Sequence, residues 1–157
     1  MRGPLILDVV AAAADPAIRE RYFEKVRRIE GGCWLWTGAI SGRGHGRFWV
    51  GDGLVVIAHR FAWSIAHPGA ELPPVVAHGD CDNPLCQNPA HLSASTSGEN
   101  RREWAARRHR LGSALRDVRG ARGRARELRD AAREGADVDG VMADGVRPID
   151  RDQLPLW

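Results

Sequence analysis

Apolar positions along this chain recur in blocks of helical and strand spacing, and their order outlines a mixed fold. Ile18, Tyr22, Val26 and Ile29 keep the three-to-four-residue spacing of an amphipathic helix over residues 16–28. Asp15 can cap that helix, Pro16 suits its first turn, and Gly31-Gly32 stop it. The segment ahead of it, MRGPLILDVVAAAAD, reads as a strand or helix lead-in; Asp8 interrupts its apolar part and no signal-peptide cleavage pattern follows. CWLWT (33–37) and GRFWV (46–50) read as strands, and LVVIA (54–58) follows the second across Asp52-Gly53, a two-residue hairpin signal. HRFAWSIAH (59–67) patterns as a short amphipathic helix ended by Pro68-Gly69. Pro73-Pro74 then forces an extended approach to a buried strand that ends at His78.

After a loop rich in turn residues, His91 to Ser95 read as a further strand. Thr96 with Glu99 forms a capping box opening a helix through Asn100, Trp104 and Leu111. Ala114, Leu115, Val118, Ala121, Ala125, Leu128 and Ala132 continue at helical spacing, weakened by Gly120 and Gly123. The prediction is an α+β chain divided into a helical lead-in (1–30), a central domain (31–112) with an N-terminal β-hairpin, and a C-terminal helical segment (113–157).

Composition changes the picture in two ways. Hydrophobic residues make up 43% of 157, enough for one modest core, and no apolar run is long enough to cross a bilayer. Three cysteines cannot all pair with one another and are few for a disulfide scaffold, so they favour a reducing compartment, the cytoplasm, and a metal role. The net charge of +3 also hides an asymmetry: −1 over residues 1–100, +8 over 101–133 and −4 over 134–157. The central block is where a polyanion would bind, although a solvated arginine face explains it equally well.

Candidate chemistry is concentrated in HGDCDNPLCQNPAHLSASTSGEN (78–100). Cys81 and Cys86 are separated by four residues, and Cys86 and His91 by four more, so these donors could converge on one zinc ion. His78 and Asn100 bracket the cluster and are left for chemistry. Asn88, beside Pro89, reads as a loop-fixing residue. Upstream, Arg43, His45, Arg47 and Trp49 are spaced by two, which on an extended strand would aim all four one way. Such a ribbon fits a DNA groove; a solvent-facing strand with a half-buried Trp is the plain alternative. His59, His67 and His109 carry no spacing argument and read as structural or DNA-facing.

The residues from Gly31 to Arg102 resemble the HNH, or ββα-metal (His-Me finger), endonucleases, most closely the His-Cys box homing endonucleases. GCWLWTG and AHRFAW also look like the flanks of small phage HNH nucleases. The resemblance implies a ββα-metal finger with a zinc-stapled loop. His78 matches the general base, Cys33, Cys81, Cys86 and His91 the four ligands of a structural Zn2+, and Asn100 the protein ligand of a catalytic Mg2+, with Mn2+ as a substitute. Arg60, ahead of Arg101, would add positive charge beside a scissile phosphate. Arg43, His45, Arg47, Trp49, Arg101 and Arg102 would contact double-stranded DNA. The implied activity is hydrolysis of DNA phosphodiesters to 3′-OH and 5′-phosphate ends; a double-strand break would require a homodimer. A zinc-stabilised DNA-binding protein without nuclease activity is the alternative.

Two departures stand out. No cysteine follows Cys86, so the second zinc cluster of better-studied members is missing and the C-terminal third must be held by other means. Ala77 stands where other HNH enzymes often carry an aspartate before the base. The sequence AREGADVDGVMADGV (132–146) faintly resembles a degenerate helix-turn-helix tail of phage HNH nucleases; the alternative is an arginine-rich helix ending in a flexible acidic tail.

Overall fold

The computed structural model describes residues 5–79 and 81–152; the side chains of 5–8 lie outside the description. The fold is mixed α+β, with three separate two-stranded antiparallel sheets set among short helices. No helix among the described residues is long and apolar enough to cross a membrane.

Helix α1 (Leu5–Ala14) meets α2 (Pro16–Phe23) at Asp15, whose carboxylate accepts from the backbone N–H of Ala17 at 2.8 Å and Ile18 at 3.3 Å. The helix expected to reach Arg28 ends five residues early. Val26–Arg28 is instead β1, paired with β2 (Trp34–Trp36) in the register Val26↔Trp36 and Arg28↔Trp34. Val26 and Ile29 satisfy helical spacing, but the turn at Gly31 (φ +69°) folds the chain back so that tertiary pairing overrides it.

Strands β3 (Arg47–Gly51) and β4 (Leu54–Ile57) form the expected hairpin. Asp52 (φ +48°) and Gly53 (φ +78°) both take the left-handed conformation that matches strand twist in a two-residue turn. Phe48 and Val50 point inward, Arg47 and Trp49 outward. Helix α3 (Ala58–Ala66) follows β4 directly, and its buried Phe61 packs with Tyr22, Trp36 and Phe48 into an aromatic core; Phe48–Phe61 and Tyr22–Phe61 centroids lie 4.9 and 5.1 Å apart. The Tyr22 hydroxyl donates to Gln87 Oε1 at 2.6 Å, satisfying two buried polar groups at once.

Strand β5 (Val75–His78) pairs with β6 (Leu92–Ser95), and α4 (Ser97–Arg107) follows. Thr96 and Glu99 form the anticipated capping box, with Glu99 N–H on Thr96 Oγ1 and Thr96 N–H on Glu99 Oε2. The helix stops at Arg107, short of Leu111, which is exposed.

The C-terminal run is likewise interrupted: a 3-10 turn at Ala114–Arg116 precedes α5 (Gly120–Glu134), whose first residue, Gly120, is left-handed (φ +72°). Ala125, Leu128, Ala131 and Ala132 bury the apolar stripe of α5 in the same core as Trp36 and Cys33. Full burial of Leu128 alone is worth about 1.5–3 kcal/mol. The acidic residues beyond are no loose tail. Gly135 (φ +67°) caps α5, Asp137 caps α6 (Val138–Asp144), and α7 (Pro148–Asp152) carries Asp150, which accepts a forked pair from Arg116 at 2.8 and 2.9 Å. Asp117 takes the matching fork from Arg119. These helices and ion pairs hold the C-terminal third, where no cysteine is present to do so.

Candidate metal centre and adjoining cavity

The loop between β5 and β6 is shaped by its turn residues before any side-chain chemistry enters. Asn83 Oδ1 accepts from Leu85 N–H at 3.1 Å and Asn83 O from Cys86 N–H at 2.9 Å, bending the chain tightly. The bend then docks on β2: Trp36 N–H donates to Leu85 O at 3.1 Å and Gln87 N–H to Trp34 O at 2.7 Å. Asn88 caps the 3-10 turn Pro89–His91 through Ala90 N–H and reaches across to Gly32 O at 2.9 Å. Cys86 is thereby carried against Cys33, which immediately precedes β2.

The donor atoms of Cys33, Cys81, Cys86 and His91 all lie within 4.8 Å of one another. His91 Nδ1 stands 3.4 Å from Cys86 Sγ and 3.8 Å from Cys33 Sγ. A tetrahedral ion with zinc–sulfur and zinc–nitrogen bonds of about 2.3 and 2.0 Å spaces its donors about 3.5–3.8 Å apart, so the set fits a metal such as zinc. The thiols also respond to one another. Hydrogen bonds from Cys81 and Cys86 hold the Cys33 thiol down to about 3 against its burial, while hydrogen bonds to Cys33 and Cys81, together with burial, push that of Cys86 far up. Three thiolates and a neutral imidazole around a divalent ion leave one net negative charge. The buried Arg124 of α5, which interacts electrostatically with Cys33 and Cys81, supplies a positive charge to balance it.

Beside this centre opens a cavity of about 570 Å³ whose walls include Arg43, His45, His59, Arg60, His78, Asn100 and Arg101. His78, at the end of β5, donates from Nε2 to Cys86 O at 3.1 Å, so the loop that carries the thiols also fixes the ring's tautomer. Burial, foremost, lowers the His78 ring to about 4, so it is neutral at pH 7. Asn100 enters from the second turn of α4. Arg60 lines the cavity with part of its guanidinium committed, donating to Pro73 O at 3.0 Å and Pro74 O at 3.2 Å.

The expected ribbon of basic and aromatic residues divides. Strand β3 begins only at Arg47, so Arg43 and His45 lie in the preceding loop and face the cavity. Arg47 and Trp49 are exposed outside it, with the Arg21 guanidinium 5.3 Å over the Trp49 ring. Arg102 is exposed and away from the cavity walls, unlike Arg101. Two wall residues, His59 and Asp82, were not legible as site residues. His59 joins His78 and His45, the latter expected only as a DNA contact, in a histidine cluster, and Asp82, in the left-handed conformation (φ +42°), receives a fork from Arg107 at 2.8 Å on each oxygen. The one available signal was the acid directly after Cys81 in a turn.

Two phage proteins are similar to part of this chain. Protein 2.8 of Escherichia phage T7 is 43% identical over 84 residues, covering 53% of this chain and 56% of the phage protein. Protein 7.7 of the same phage is 38% identical over 68 residues, covering 43% and 51% respectively. The chain thus spans about half the length of the curated relatives it matches. No protein-family model matches the chain, and no solved structure does.

Proposed function

We propose that this protein is a metal-dependent DNA endonuclease of the ββα-metal type, with β5, β6 and α4 as its finger and Cys33, Cys81, Cys86 and His91 as a structural zinc site. The observation that carries the reading is that His78, at the end of the first strand, and Asn100, in the following helix, line one cavity buttressed by the thiol cluster. Hydrolysis of a phosphodiester needs a base for water and a counter-charge for the phosphate. Because His78 Nε2–H is spent on Cys86 O, its Nδ1 lone pair is the one free to accept the water proton. Arg43, Arg60 and Arg101 give the cavity a positive wall, and the single acid among the described lining residues, Asp82, is neutralised by Arg107. Asn100 offers an amide oxygen, a hard donor suited to Mg2+ or Mn2+. Such an ion, when bound, supplies Lewis acidity toward the phosphate and the leaving oxygen.

One feature favours a second reading, a zinc-stabilised DNA-binding protein: among the described residues lining the cavity, Asn100 offers the one side-chain oxygen not committed to another partner. Supercoiled plasmid separates the two. Nicking in Mg2+ that EDTA, His78→Ala and Asn100→Ala each abolish supports the nuclease; nicking that survives either substitution refutes the proposed roles. DNA binding without nicking under every condition favours the second reading.

A further inference from the structure

Three imidazoles meet in the cavity wall, and two have already committed one nitrogen. His45, ahead of β3, His59, in the first turn of α3, and His78 each bring a ring nitrogen within 4.8 Å of the other two. Their ring centroids are 4.4 Å apart for His59–His78 and 5.3 Å for His45–His59. His59 Nε2 lies 3.0 Å from Val76 O and His78 Nε2 3.1 Å from Cys86 O. A carbonyl only accepts, so both Nε2 atoms carry the proton and both Nδ1 atoms a lone pair. His59 is 5% exposed, and its Nδ1 is buried with no hydrogen-bond partner, a state that calls for an explanation. A backbone carbonyl on the far nitrogen is also the arrangement that orients imidazoles as metal ligands.

We propose that His45, His59 and His78 form a second metal site, separate from the thiol cluster, that takes a borderline divalent ion such as Zn2+, Ni2+ or Co2+ and, when filled, withholds the His78 ring from proton transfer. Three nitrogen donors and no carboxylate select such ions over Mg2+ and Ca2+, which demand oxygen. Arg43 and Arg60 line the same space, and the one acid among the described lining residues, Asp82, is paired with Arg107, so no described carboxylate in the wall is free to offset the ion's charge. The site therefore binds more weakly than the thiol cluster and keeps a position open for water or a phosphate oxygen. The ion-binding part stands on geometry alone; the inhibitory part rests on the nuclease reading.

Equilibrium dialysis of the full chain against Zn2+, followed by metal analysis, tests the site. The expected result is two ions per chain at saturation, the second lost in His45→Asn and His59→Gln while the first remains. In Co2+ titration the second equivalent should give visible bands without thiolate charge transfer. Saturation at one ion per chain, or a second ion indifferent to both substitutions, overturns the site. Should His59→Gln unfold by circular dichroism, the half-buried His45→Asn decides, with a loss of at least about tenfold in affinity expected. Excess Zn2+ should suppress Mg2+-dependent plasmid nicking; nicking that persists with both sites filled overturns the inhibitory role. A protein that never nicks yet binds two ions retains the site and loses the nuclease reading.

Discussion

Replacing His91 by alanine distinguishes a metal staple from thiols that merely pack together. The ring is half-buried, and its Nδ1 contacts Cys86 Sγ at 3.4 Å and Cys33 Sγ at 3.8 Å. If those are weak nitrogen–sulfur contacts, their deletion costs about 1 kcal/mol, which at about 2–4 °C per kcal/mol for a chain of this size lowers Tm by about 2–4 °C. A structural zinc site contributes about 10–16 kcal/mol of apparent binding energy at neutral pH. Losing even half of the lower figure, about 5 kcal/mol, lowers Tm by about 10–20 °C and approaches the whole stability of an ordinary domain. The assay is scanning calorimetry of zinc-loaded protein with metal content measured on the same samples. His78→Ala is the companion variant: it deletes one hydrogen bond to Cys86 O and leaves the donors intact, so zinc stays and Tm falls by only a few degrees. Full zinc content in His91→Ala, with Tm within about 4 °C of the parent, refutes the ligand assignment.

Gly46→Ala should destabilise by about 1–3 kcal/mol in urea unfolding, because a Cβ there would meet the Trp36 indole at 2.6 Å and Ala58 Cβ at 2.9 Å inside a packed core. Arg107→Ala leaves Asp82 partly buried without its fork and should cost about 1–3 kcal/mol by the same measurement, whereas loss of an exposed pair would be hardly measurable. Acid sensitivity should begin early. Burial above all holds His59 well below its ordinary value, as it does His45 to a lesser degree, so the unfolded chain binds these protons first. The associated stability is present above about pH 6.5 and is lost as pH falls through the folded-state values, visible as a declining Tm between about pH 6.5 and 5; a Tm flat across that window contradicts the burial. Asp150, held below the usual carboxylate range by Arg116, adds a further loss at lower pH still, which Asp150→Asn should remove.

Local chemistry was readable where the signal was local. Asp52-Gly53, Thr96 with Glu99, and Asp15-Pro16 each specify a turn or cap within four residues, and each is realised. The four converging donors were legible because three sit in one loop, and Cys33 followed from the family resemblance. What failed was long-range. Val26 fits a helix as well as a strand until β2 is available to pair with it, and the Ala114–Ala132 stripe concealed a break at Gly120. His45 and His59 are brought to His78 by three different segments of chain, a meeting that no spacing encodes. Arg47 and Trp49 were expected beside Arg43, but the strand begins too late to align all four.

The packing of α5 bears on how the protein could be shortened or recombined. Gly44, at φ +86°, rests on the Ala121 carbonyl and the Ala125 methyl group so closely that an added Cβ would come within 2.9 Å of both. Arg124 from the same helix, ion-paired with Asp117 at 3.6 Å, also interacts electrostatically with Cys33 and Cys81. A fragment cut after residue 112 would therefore bare one flank of the thiol-bearing loop to solvent and remove the cation beside it. Grafting the thiol-bearing loop onto another scaffold calls for carrying this helix along, or for supplying a surrogate for it.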